Sequence, residues 1–69
     1  MPNSVYKIVE IVGSSAESWE KAAQTAVAAA SKSLRDLRVA EVAALDVHLE
    51  AGKIVAYRTK LKVSFKFEE

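Results

Sequence analysis

Apolar and polar residues alternate at both ends of this chain, and between them the repeat changes to one of three and four. In "SVYKIVEIV" (4–12), Val5, Lys7, Val9 and Ile11 fall on one side, and Tyr6, Ile8, Glu10 and Val12 on the other. That pattern predicts a β-strand with both faces largely covered. "GSSAES" then reads as a stop and a helix start. Gly13 provides the turn, Ser14 or Ser15 can cap the helix, Ser14 and Glu17 stand at capping-box spacing, and Glu17 and Glu20 suit the positive end of a helix dipole. From about Ala16 to Leu34 there is neither Gly nor Pro. Trp19, Ala22, Ala23, Ala26, Val27, Ala30 and Leu34 mark one apolar helical face, mostly alanine, with Trp19 as its large anchor.

Past Leu37 the period returns to two. From Arg38 to Glu50 one face carries Val39, Glu41, Ala43, Leu45, Val47 and Leu49. The other carries Arg38, Ala40, Val42, Ala44, Asp46, His48 and Glu50. "EAGK" (50–53) is a hairpin signal, with Gly52 free to take positive φ. The last strand, about Ile54 to Phe67, sets Val55, Tyr57, Thr59, Leu61, Val63, Phe65 and Phe67 against Arg58, Lys60, Lys62, Ser64 and Lys66. The predicted order is β-α-β-β, an α+β fold, in a single domain over 1–69.

Composition sharpens this picture at one point. With 69 residues, 51% of them apolar, the chain is short for a self-sufficient core. It has no cysteine for disulfides and one histidine, which argues against a zinc site. One helix cannot cover so long a hairpin, so the remaining apolar surface and strand edges call for further copies of the chain. A net charge of +1 is too small to predict nucleic-acid binding. No apolar run approaches the roughly 20 residues of a membrane span, and no secretory leader is visible. The expected location is the cytoplasm.

The segments "VYKIVEIVGSSAESWEKAA", "AEV" and "KVSFKFEE", in this β-α-β-β order, resemble the dodecin family from Val5 to Glu69. The resemblance implies a three-stranded antiparallel sheet wrapped around one helix. It also implies assembly of trimers into a hollow homododecamer. Many dodecins bind flavins or lumichrome, stacked between subunits. In their pattern a tryptophan stands where "RVAEV" has Val39, a glutamine where "AYRTK" has Arg58, and often a basic residue where Asp46 falls. An isoalloxazine needs a flat aromatic partner, and valine offers contact without π-stacking. Flavin is therefore not the expected ligand. "SWE", "LRVA", "AGKI" and "KLKVSFK" are similar to a calcium-dodecin branch.

Calcium takes six to eight oxygens, and no contiguous acidic loop supplies them here. The alternation places Asp46 and Glu50 on one face of the second strand and Glu41 on the other. A symmetry axis would have to repeat such residues to build a metal site. Each carboxylate is also explained as a solvated or paired surface group. His48, between Asp46 and Glu50, suits a surface or inter-subunit hydrogen bond. Arg58, Lys60, Lys62 and Lys66 form a basic stripe that keeps a long strand edge from aggregating and pairs with acids of neighbouring subunits, or holds phosphate, a nucleotide or an acidic polymer. No nucleophile–base pair, metal triad or phosphate loop points to an enzyme. The expected function is binding or storage of a small ligand or divalent cation, calcium foremost. Two alternatives stand: a flavin or lumichrome site altered by Val39, Asp46 and Arg58, and a purely structural assembly with an unknown partner.

Overall fold

The computed structural model describes residues 3–67; Glu68 and Glu69 of the closing motif lie outside them. The elements are β1 (Tyr6–Ser15), α1 (Trp19–Ala30), β2 (Leu37–Glu50) and β3 (Lys53–Lys66). They form one antiparallel sheet in the order β1-β3-β2, with β3 in the middle. This is the expected α+β arrangement of three strands and one helix.

β1 does not stop at Gly13. It runs on to Ser15, with Gly13 opposite Thr59 and Ser14 opposite Arg58. The reason for glycine is space. A Cβ at Gly13 would run into the Ala22 carbonyl and come within 2.9 Å of the Ala26 Cβ. The helix lies directly on the strand, and the alanine face permits it. Ala22, Ala26 and Ala30 are buried there, above Leu61 and Val63 of β3, each only 1% exposed. Thr59 is equally buried, and its hydroxyl donates to the Trp19 carbonyl at 2.8 Å. A buried polar group is thereby satisfied.

The helix is shorter than its alanine-rich sequence predicts, 12 residues instead of about twenty. Its N-cap is Ser18, not Ser14 or Ser15. Ser18 has extended backbone, and its Oγ accepts the Lys21 N–H at 3.0 Å. Ser15 Oγ accepts the Glu17 N–H in the preceding turn, and Glu17 pairs with Lys21 instead of closing a capping box. At the far end Ser31 Oγ donates to the Ala28 carbonyl, and Lys32 and Ser33 make tightened three-residue bonds. Serines that bond to nearby backbone compete with helix continuation. Asp36, at φ 58, then redirects the chain into β2.

β2 departs from strict alternation. Its register against β3 slips between Leu37 and Val39, between Val42 and Ala44, and between His48 and Leu49. Ala43 is thus an extra residue on β2, a bulge that resets which residues share a face. Before it, Ala40 and Val42 oppose Val63 and Leu61; after it, Leu45 and Val47 oppose Thr59 and Tyr57. All four therefore lie on the helix-bearing side of the sheet, since directly opposed residues share a face.

The helix spans about 18 Å, whereas the 14-residue strands span about 46 Å. It packs on β1 and β3 and leaves β2 largely bare. Val42, Leu45 and Leu49 are each more than half exposed.

Two substitutions test these constraints by thermal denaturation. Gly13→Ala is expected to cost about 1–3 kcal/mol, because the helix must be pushed off the strand. Ala51 occupies the hairpin at φ 52 beside Gly52 at φ 76. Ala51→Gly is expected to stabilise by about 1 kcal/mol through relief of left-handed strain. A fall in melting temperature would contradict that reading of the turn.

Candidate functional site

Two surfaces of the sheet stand free among the described residues. The first lies on the helix side, between α1 and β2. Trp19, Ala23, Val42, Leu45 and Thr59 line a groove of about 300 Å³ with almost no polar wall. A second groove of about 410 Å³ continues along Ala23, Val27, Ala40, Val42 and Leu61. Trp19 ties the two walls together. Its indole N–H donates to the Asp46 carbonyl at 3.0 Å, and its ring meets Tyr57 edge-on at 5.1 Å. Aromatic pairs favour this geometry, so Trp19 is a structural anchor and not a stacking platform.

The second surface is the outer face, opposite the helix. Here the register assembles rows across the three strands. Glu10, Lys62 and Glu41 share one row; Val12, Lys60 and Ala44 the next; Ser14, Arg58 and Asp46 the third. The bulge at Ala43 inverts the strict alternation for Val39 to Val42. Glu41 lies on the same face as Asp46, opposite Lys62, and not on the reverse face. Glu10 joins this face through β1, a position that only strand pairing reveals.

Asp46 and Arg58 form the tightest polar contact of that surface. Arg58 Nε donates to Asp46 Oδ1 at 2.7 Å, and its Nη2 to Oδ2 at 2.9 Å. Both side chains are about half exposed. The bidentate fork adds geometric specificity, because guanidinium and carboxylate are both planar and matched in spacing. The Arg58 hydrogen bonds hold the Asp46 carboxyl below its ordinary value of 3.8, assisted by the charges of Arg58 and Lys60 against some desolvation. The same contact raises Arg58.

Val39 stands apart from this pair. It opposes Ser64, six residues along β3 from Arg58, which is about 20 Å. It is 62% exposed. One chain therefore does not bring Val39, Asp46 and Arg58 into a single pocket. Glu50 opposes Lys53 at the hairpin, and its carboxylate is 3.9 Å from His48 Nε2, an ion pair only when the imidazole is protonated.

The fit to calcium follows from these placements. Both Asp46 oxygens are occupied by Arg58, Glu41 faces Lys62, and Glu50 faces Lys53. Among the described residues no three His, Cys, Asp or Glu side chains gather closely enough to hold a metal. A single chain does not furnish six to eight oxygens.

A short helix packed on two strands of a three-stranded antiparallel sheet, with β2 largely uncovered, defines a small α+β domain. The chain belongs to the dodecin family, whose sequence model matches residues 5–68. It is 48% identical over 63 residues to the calcium dodecin of Mycobacterium tuberculosis, covering 91% of this chain and 89% of that one. The crystal structure of that relative, described as a calcium-chelating immunodominant antigen with a novel calcium-binding site, superposes with a TM-score of 0.84. The identity there is 46%, over 94% of this chain and 93% of that one. Dodecin from Streptomyces coelicolor superposes with a TM-score of 0.92 at 35% identity, over 100% and 99% of the two chains. No described helix is long and apolar enough to cross a membrane.

The ion pair makes pH a probe of this face. Because the Asp46 carboxyl is lower in the folded chain, the pair stabilises the fold above the ordinary carboxylate range. That contribution is lost as pH falls through the folded value. Arg58→Gln is expected to raise the Asp46 titration midpoint towards 3.8 in a carboxyl-carbon NMR titration. An unmoved midpoint would show that the contact does not persist in solution.

Proposed function

We propose that this chain works as a single dodecin domain in a hollow homododecamer built from trimers, in the cytoplasm, where it binds or stores a small ligand or divalent cation. The reading is of a binding role, not a catalytic one. The observation that carries it is the bare apolar side of β2: Ala40, Val42 and Leu45 line grooves that the chain's own helix does not fill. Symmetric assembly is the ordinary way to cover such a surface.

Calcium is the proposed ion, supported by the calcium-dodecin relative. Since one chain does not fit it, the site would combine carboxylates of several copies. Glu41 and Glu50 are the proposed contributors, and Asp46 would contribute only on release from Arg58. Flavin stacking is disfavoured by Val39, and by the Asp46–Arg58 contact that already occupies both groups.

Native mass spectrometry tests assembly and ligand together. A homododecamer of 7.5 kDa chains gives a mass of about 90 kDa. A monomer would refute the assembly. Calorimetry with calcium on chelator-treated protein should show saturable heat, and Glu41→Gln should weaken binding roughly tenfold, as expected for one lost charged contact. An absence of heat would remove calcium and leave the assembly standing. Quenching of added riboflavin would favour the altered flavin site.

A further inference from the structure

Asp46 is tied to two different elements at once. Its carboxylate takes the fork of Arg58 on the outer face, at 2.7 and 2.9 Å. Its backbone carbonyl accepts the Trp19 indole N–H at 3.0 Å. Among the described residues the second contact is the only hydrogen bond from α1 to β2. The first is the only ion pair between two strands. These contacts close into a ring. Thr59, the neighbour of Arg58 on β3, donates its hydroxyl to the Trp19 carbonyl at 2.8 Å. One tryptophan is thus held by β3 through its backbone and holds β2 through its ring.

The ladder of β2 is interrupted on both sides of this point. Register slips between Val42 and Ala44, and again between His48 and Leu49, leave residues 44–48 as a short regular segment between two irregularities. Bulges disrupt the ladder and let a strand bend, so side-chain ties carry more of the positioning there. Leu45 belongs to this segment. With Trp19, Val42 and Thr59 it walls the apolar groove on the helix side. The shape of that groove therefore depends on what holds Asp46.

We propose that Asp46 is a latch coupling the two faces of the sheet. While Arg58 holds the carboxylate, residues 44–48 stay docked on Trp19; a divalent cation that takes the carboxylate from Arg58 loosens the groove wall on which another copy would pack. The cation arm rests on the calcium reading, whereas the coupling itself concerns only this chain's own contacts. Linkage is reciprocal, so a covered groove strengthens the Asp46–Arg58 pair in turn.

Trp19 is the single tryptophan and is 37% exposed, so its fluorescence and its indole N–H report on the groove wall. In the native protein, Asp46→Asn keeps the carbonyl and removes the charge, and Arg58→Gln removes the fork. Each is expected to speed hydrogen exchange at the Trp19 indole about fivefold, the low end of coupling between linked sites, and to raise acrylamide quenching. Trp19→Phe keeps a ring beside Tyr57 without the N–H, and should speed exchange at Arg58 Nε–H by a similar factor. Lys62→Gln, two rows from Asp46 on the same face, should move neither signal. On the unaltered protein, salt screens the exposed pair, and the Arg58 and Trp19 exchange rates should climb together. Calcium, once calorimetry shows it bound, should raise Trp19 quenching as Arg58→Gln does. An unchanged Trp19 in both outer-face variants overturns the coupling. So does an equal response to Lys62→Gln, or an Arg58 rate that climbs with salt while Trp19 stays fixed. Bound calcium with an unmoved Trp19 overturns the cation arm alone. An absence of calcium heat removes the cation and leaves the coupling to be decided by the variants and the salt series.

Discussion

The close approach of α1 to β1 governs the rest of the molecule. Where Gly13 passes beneath Ala22 and Ala26 there is no room for a side chain on the strand, and little on the helix. Small residues allow that contact, but they bury little area each, so the core rests on Leu61 and Val63 with a few partly buried neighbours. The helix is committed to β1 and β3 by this contact and cannot also cover β2. Exposed apolar surface on β2 is therefore a consequence of the same feature that makes the chain fold.

The outer face follows a different rule. Its charges are arranged in rows, acid opposite base, across the middle strand: Glu10 and Glu41 about Lys62, and Asp46 on Arg58. Such rows favour strand pairing, because opposite charges directly across a sheet attract. They also explain why a metal cannot be assigned to one chain. Each candidate carboxylate has a cationic neighbour, and any divalent ion must displace it or approach from a second copy.

Membership of the dodecin family and the bare β2 surface meet at the same physical need, the covering of apolar area. The family assignment rests on nearly the whole chain, while the β2 surface is read from burial alone. Ligand chemistry is more local. Val39 and the Asp46–Arg58 pair lie about 20 Å apart on one chain, so a single chain does not hold one small ligand against both.

Alternation, alanine content and the "EAGK" turn were enough to read the element order, the hairpin, the long last strand and the burial of Ala22, Ala26 and Ala30 from the residues themselves. These are local patterns, each set by backbone geometry within a few positions. The same local reading overextended the helix and placed its cap at Ser14 or Ser15, because several serines offer competing hydroxyls and only packing chooses Ser18. It also set Glu41 on the wrong face, since one extra residue at Ala43 inverts the positions from Val39 to Val42. The pairing of Asp46 with Arg58 and the row of Glu10 with Glu41 depend on register between distant segments. Register is a property of the folded sheet, where side chains far apart in sequence first acquire a common face.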